Sequence, residues 1–244
     1  AKGWITNLVV DKVKKLVPAY QLPQAISFKS VLRRGAGQVI RPLATSLDDT
    51  AVLQYTGGTT GLPKGAMLTH GNLIANMQQL RACLSQHGPD GQPMLKDGRE
   101  IMIGPLPLYH IYAFTANCMG MMVTGNHNVL ITNPRDIKGF IKELQNWRFS
   151  ALLGLNTLFV ALMDHPDFKN LDFSSLKLTN SGGTALVKAT AERWEKLTGC
   201  RITEGYGLTE TSPVACTNPY GDKSRIGTVG LPVPGTLLKV INDD

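Results

Sequence analysis

Apolar residues recur along this chain with two distinct periods. Trp4, Ile5, Leu8, Val9, Val13, Leu16 and Val17 fall near one face at helical spacing, predicting a helix over 4–17. Residues 18–49, with Pro18, Pro23 and Pro42, predict an irregular connector. A short apolar run, Ala51–Tyr55, leads into a glycine-rich stretch, and Ala66–Thr69 leads out of it. Leu73, Ile74, Met77, Leu80 and Leu84 then predict a helix from Asn72 to about Gln86, and Gly, Pro and Asp residues predict a surface loop over 87–99. Beyond it, strands (101–104, 128–131, 150–153, 176–180, 201–204) alternate with helices (110–123, 136–147, 156–164, 185–197). That rhythm predicts an α/β fold, a mainly parallel sheet flanked by helices. Residues 226–241 predict a short β segment outside the rhythm. The implied organisation is 1–49, a basic N-terminal helix and connector; 50–225, the α/β core; and 226–244, the start of a β-subdomain. The chain starts at Ala1 and stops soon after a strand-like run, and reads as a segment of something longer.

Charge changes the picture at two places. The net charge of +7 sits in the first 47 residues, where Lys2, Lys12, Lys14, Lys15, Lys29, Arg33, Arg34 and Arg41 face a single acid, Asp11. The remainder balances, so nucleic-acid binding by the main body has no support. The 4–17 segment suits two readings. It is a basic amphipathic helix lying on a membrane surface, or a helix packed on its own domain with lysines favouring its C-terminal end; the packed helix is preferred. The second place is Ile101–Pro134, which contains no Asp, Glu, Lys or Arg. Its prolines, asparagines and histidines argue against a membrane span. It reads as core or as a wall facing an apolar substrate. The four cysteines lack CxxC spacing and read as reduced core thiols of a cytosolic protein. The histidines lack metal-binding spacing.

Candidate chemistry lies in the glycine-rich stretches. Tyr55-Thr56-Gly57-Gly58-Thr59-Thr60-Gly61-Leu62-Pro63-Lys64-Gly65 combines glycines, hydroxyls and one lysine. Glycines let backbone N–H groups converge on an anion, so this is a phosphate cradle. The alternative is a ligand-free hairpin turn. It departs from the common NTPase loop, which ends Gly-Lys-Ser/Thr. Thr203-Glu204-Gly205-Tyr206-Gly207-Leu208-Thr209-Glu210 follows a strand, where open α/β sheets bind ligands. Tyr206 can lie against a base, and Glu210 is an oxygen ligand of the kind Mg²⁺ takes with phosphates. Asn180-Ser181-Gly182-Gly183-Thr184 is a strand-to-helix turn that a flat ligand can approach. His110 stands in the apolar run Leu106–Phe114. No Ser/His/Asp or Cys/His nucleophile arrangement is present.

Together these stretches resemble the adenylate-forming enzymes: acyl-CoA ligases, luciferase and the adenylation domains of peptide synthetases. Within that family the chain is similar to bacterial long-chain fatty-acid–CoA ligases. The resemblance implies ATP-dependent activation of a fatty acid to an acyl-adenylate, then thioester formation with coenzyme A, with ATP, Mg²⁺ and coenzyme A as cofactor and substrates. It implies nucleotide contacts from Thr56, Gly57, Gly58, Thr59, Thr60, Gly61, Lys64, Gly182, Gly183, Thr184, Glu204, Gly205, Tyr206, Gly207 and Thr209. Thr56 and Glu210 would hold the metal; Lys64, His110, Thr209 and Glu210 would serve the chemistry. His110, Phe114, Gly182 and Gly230 would meet the acyl substrate, with Phe114 gating its tunnel. The chain departs from many members at Gly57, at Thr184-Ala185 and at Asn156. A ribose-binding Asp, a hinge and a C-terminal Lys are expected outside these 244 residues. Rival readings are a ligase for aryl or shorter acids, and a non-catalytic nucleotide-binding or membrane-docking module. The expected location is cytoplasmic; a peripheral contact of residues 4–17 with the inner face of the membrane is the alternative to the packed helix.

Overall fold

Two antiparallel strands, β1 (Thr50–Thr56) and β2 (Lys64–Thr69), open the larger of two compact units into which the chain divides, Ala1–Ala44 and Thr45–Asp244. The computed structural model describes residues 2–57, 63–85 and 93–242. Thr56 pairs with Lys64, so the glycine-rich stretch connects the two strands of a hairpin. Gly58, Thr59, Thr60 and Gly61 lie outside the described residues.

In the smaller unit, α1 (Lys2–Leu8) continues as a π-helical stretch, Val9–Val13. It stops earlier than the apolar spacing predicts; Lys15 takes a positive φ of 49°. Trp4, Ile5, Leu8, Val13, Leu16 and Val17 are exposed. A second helix, α2 (Phe28–Gly35), lies within the expected connector. It is capped by Ser27, whose Oγ accepts from Ser30 N.

In the larger unit, α3 (His70–Leu84) starts before the predicted Asn72 because Thr69 and Asn72 form a capping box, with N–O distances of 3.1 and 3.0 Å. The seven-stranded sheet follows. It contains β3 (Ile101–Gly104), β4 (His127–Leu130), β5 (Ala151–Gly154), β6 (Leu178–Ser181), β7 (Ile202–Gly207), β8 (Val214–Thr217) and β9 (Leu231–Pro232), in the spatial order β4-β3-β5-β6-β7-β8-β9. The five strands from β4 to β7 pair in parallel, and β8 and β9 add antiparallel. This is the expected mainly parallel sheet. Of residues 226–241, only Leu231–Pro232 is strand; Leu237, Val240 and Ile241 are exposed.

The central parallel strands β3, β5 and β6 are buried on both faces, and their side chains alternate between two apolar layers. Ile103, Leu152 and Ile202 face α6 (Ile137–Leu144), α7 (Asn156–Asp164) and α8 (Lys188–Thr198). There Phe159 meets Trp194 edge to face at 4.9 Å, and the Trp194 indole donates to Thr179 Oγ1 at 3.2 Å. Burial of side chains this size contributes about 2–3 kcal/mol each. Met102, Ala151, Leu153 and Leu178 point the other way. Over them runs the helical segment α4 (Ile111–Ala113), the π-helical Phe114–Met119 and α5 (Gly120–Thr124). Alongside, the buried Asn76 of α3 exchanges hydrogen bonds with the Val214 backbone at 2.8 and 3.1 Å. That contact fixes α3 against β8. Cys83, Cys200 and Cys216 are buried and unpaired, and burial pushes their thiols up.

Candidate active site

The second layer does not close on the sheet. It leaves a cavity of about 910 Å³, lined from the sheet side by Met102, Leu153, Leu178 and Asn180. At the carboxyl ends of β6 and β7 the lining is polar and glycine-rich: Gly182, Gly183, Gly205, Tyr206, Gly207, Thr209 and Glu210. Thr56 and Lys64 of the hairpin and His110 line the same cavity. Towards the amino ends of the strands it is mainly apolar, with Met77, Leu80 and Leu84 of α3, Leu95, and Met121 of α5. Two glycine-rich regions far apart in sequence thus share one space.

Each polar group has a local reason for its place. Gln54 Nε2 donates to Tyr109 O at 2.8 Å, tying the hairpin to the loop before α4. His110 caps α4; its Nδ1 accepts the Tyr112 N–H at 3.2 Å, which assigns the proton of the neutral ring to Nε2. The 3₁₀ turn Thr209–Thr211 packs against β2. It is held by Leu208 N–H donating to Thr211 Oγ1 at 2.8 Å and to Pro213 O at 3.0 Å. Glu210 is exposed, and neither its carboxylate nor the Lys64 ammonium has an ion-pair partner among the described residues. One free cation and one free carboxylate at the polar end suit a ligand that carries negative charge and a metal ion.

Two further lining residues emerge from the structure. The Tyr112 hydroxyl donates to Asn180 Oδ1, and Asn180 Nδ2 donates to Thr203 O at 3.0 Å. Burial pushes the Tyr112 phenol far above its usual range, so it stays a neutral donor. Its ring lies against Gly182, where an added Cβ would meet it at 3.1 Å. Both residues stand inside motifs that the sequence marks out. The parallel register that sets Asn180 beside Leu153 turns it into the cavity, where the Tyr112 hydroxyl meets it.

A family model described as AMP-binding enzyme matches residues 6–244. The chain belongs to the AMP-binding enzyme family. The long-chain-fatty-acid–CoA ligase of Salmonella typhimurium is 49% identical over 100% of this chain and 42% of its own length. The protein of that name from Haemophilus influenzae has the same identity and coverage. ATP-bound MatB from Rhodopseudomonas palustris superposes with a TM-score of 0.68 at 28% identity, over 84% of this chain and 39% of its own. This AMP-binding chain therefore spans less than half the length of these relatives.

Five described residues expected at the site do not line the cavity. Phe114 packs with Leu68, Leu73 and Ile111 instead. Glu204 is buried; its Oε1 accepts from Leu186 N at 3.2 Å and its Oε2 from Gly227 N at 2.8 Å. The carboxylate straps two loops rather than facing a nucleotide. Gly230 has a φ of 83°, and a Cβ there would strike the Thr217 backbone at 2.2 Å. Close packing on β8 is enough to require glycine there. Thr184 is exposed outside the cavity. Gly57 is exposed beside Thr56 and is not among the lining residues.

Among the described residues, no group of three or more His, Cys, Asp or Glu side chains is placed to hold a metal alone. Thr56 and Glu210 offer one hydroxyl and one carboxylate to the shared space. That donor set fits Mg²⁺, which takes one or two carboxylates and completes its shell with phosphate oxygens and water.

Proposed function

We propose that this chain supplies the ATP- and acyl-binding core of a long-chain fatty-acid–CoA ligase. One observation carries the reading: a single cavity has a charged, glycine-rich end and an apolar end. A nucleotide triphosphate suits the first and an acyl chain the second, with the carboxylate between them. The 49% identity to two proteins named long-chain-fatty-acid–CoA ligase supports the same choice.

In this reading the acid's carboxylate oxygen attacks the α-phosphorus of ATP. The bond to the bridging oxygen breaks, and pyrophosphate leaves with its electron pair. Coenzyme A's thiol then attacks the acyl carbonyl, and AMP departs. Both first reactants are anionic, so the chain must offset their repulsion. Lys64 does so with a fixed positive charge, and the hydroxyls of Thr56 and Thr209 donate to phosphate oxygens. Tyr206, 43% exposed at the rim, is free to cover an adenine. His110 Nε2–H donates to the oxygens of the reacting carboxylate or phosphate. Thr56 and Glu210 would hold Mg²⁺, which when bound would supply charge neutralisation on the phosphates.

Pyrophosphate exchange by the full-length protein tests this. Exchange that depends on palmitate supports it; exchange that depends on benzoate but not palmitate transfers the reading to an aryl-acid ligase. Phosphate release without any acid replaces it with an ATPase. A cytoplasmic location with peripheral membrane contact belongs to the same proposal. The exposed Trp4, Ile5, Leu8 and Val13 stand beside Lys12, Lys14 and Lys15, a composition that suits an anionic lipid surface. No helix among the described residues is long and apolar enough to cross a membrane. Loss of liposome co-sedimentation on deleting residues 1–22 is the expected result, and unchanged sedimentation refutes the contact.

A further inference from the structure

The cavity's two ends lie at opposite ends of the parallel strands. Gly182 follows β6, whereas Leu95, Lys96 and Asp97 precede β3. Between them Leu178 and Asn180 occupy successive cavity-facing positions on β6, so the sheet alone separates the ends by roughly 13 Å at about 3.3 Å per residue. The apolar end stops at charge. Arg81, in the last turn of α3, bonds Asp97 through Nη2 and Oδ2 at 2.5 Å, and both residues line the cavity. Asp97 sits on a fixed turn. Gly98 N donates to Thr124 O at 2.8 Å, Arg99 N to Asn126 Oδ1 at 3.0 Å, and Lys96 N to the buried Glu100 at 2.8 Å.

We infer that the Arg81–Asp97 ion pair is the end-stop of the acyl site and sets its chain-length preference. The inference rests on the fatty-acyl reading above. A methyl terminus gains nothing by pressing on a charged pair whose groups it would strip of water. Chains that end before the pair bury every methylene against Leu84, Leu95 and Met121. Longer chains must part it. The pair is itself half-exposed, with side chains 56% and 54% accessible, so screening by salt weakens it. The stop therefore yields rather than blocks. Arg81 and Asp97 are positioning residues, remote from the reacting atoms.

The test measures kcat/KM of the full-length protein for octanoate, myristate and stearate. Arg81→Ala and Asp97→Asn are expected to raise the stearate-to-octanoate ratio, by about fourfold for each methylene newly buried. The reciprocal swap, Arg81→Asp with Asp97→Arg, restores the wild-type ratio. In the wild type the ratio rises with ionic strength, and in the single variants it does not. A merely structural pair moves all chain lengths together and gives no salt-dependent ratio. An unchanged ratio in both single variants, or a salt-independent wild type, overturns the inference while palmitate activation leaves the ligase reading standing. Absence of any fatty-acid activation by the wild type removes that reading and the inference with it. Should the single variants not fold, the salt dependence of the wild type decides alone.

Discussion

Replacing Lys177 by Met isolates the contact that holds the cavity's apolar end in shape. Glu100 is 3% exposed, yet it carries a carboxylate. Lys177 Nζ meets both its oxygens at 2.8 and 3.1 Å, and the Lys96 N–H donates at 2.8 Å. Burial acts to raise this acid. The hydrogen bonds from Lys177, Lys96 and Ser150, with the Lys177 charge, outweigh burial and hold it below the usual carboxylate range. Removing one partner of a buried ion pair costs about 3–5 kcal/mol. Lys177 is 42% exposed, so water screens the pair, and about 2 kcal/mol is the better expectation. For a chain of this size that corresponds to a fall in Tm of about 4–8 °C. The sign with pH follows from the lowered acid. Its stabilisation is fully present above the ordinary glutamate value of about 4.5 and is lost as pH falls through the lower folded value. Thermal melts by circular dichroism should thus show a wild-type-to-Lys177→Met gap at neutral pH that closes in acid. The double variant Glu100→Leu, Lys177→Met should recover most of the loss, because no charge is left buried. A Lys177→Met melt equal to wild type, or a gap that widens in acid, refutes the reasoning.

Other substitutions probe the site in the full-length protein. Gly182→Val drives a branched side chain into the Tyr112 ring, and KM for palmitate should rise by about tenfold or more, read from initial rates. Tyr112→Phe removes the hydroxyl donor to Asn180 and should cost about 1 kcal/mol in urea unfolding. Glu210→Ala should abolish Mg²⁺-dependent adenylate formation in pyrophosphate exchange; retained activity removes the metal assignment. The 244-residue chain alone should form no acyl-CoA in a thioester assay.

Periodicity exposed the α/β alternation well. The parallel strands needed little more than their apolar runs and the helices between them, and the 101–104 strand and 156–164 helix match residue for residue. The hairpin was less legible. Ala51–Tyr55 shows its apolar run, but nothing local says that Lys64–Thr69 returns to pair with it. Helix α2 hides among prolines and carries no buried residue to mark it. Composition also cannot separate a glycine that admits a ligand from one that admits a neighbouring backbone. Gly182 lines the cavity, whereas Gly230 is forced by Thr217. Glu204 reads like its neighbour Glu210 until the fold points one inward to Leu186 and Gly227 and leaves the other at the cavity. Asn156 Oδ1 accepts from Val187 N at 3.0 Å and so ties the start of α7 to the start of α8. Such roles depend on partners distant in sequence, and no local pattern encodes them.

A crystal structure of the full-length protein with ATP and Mg²⁺ tests the central claim most directly. One triphosphate should touch both Lys64 and Glu210, with the adenine against Tyr206. A nucleotide bound at only one of the two glycine-rich regions, or outside the cavity, contradicts it.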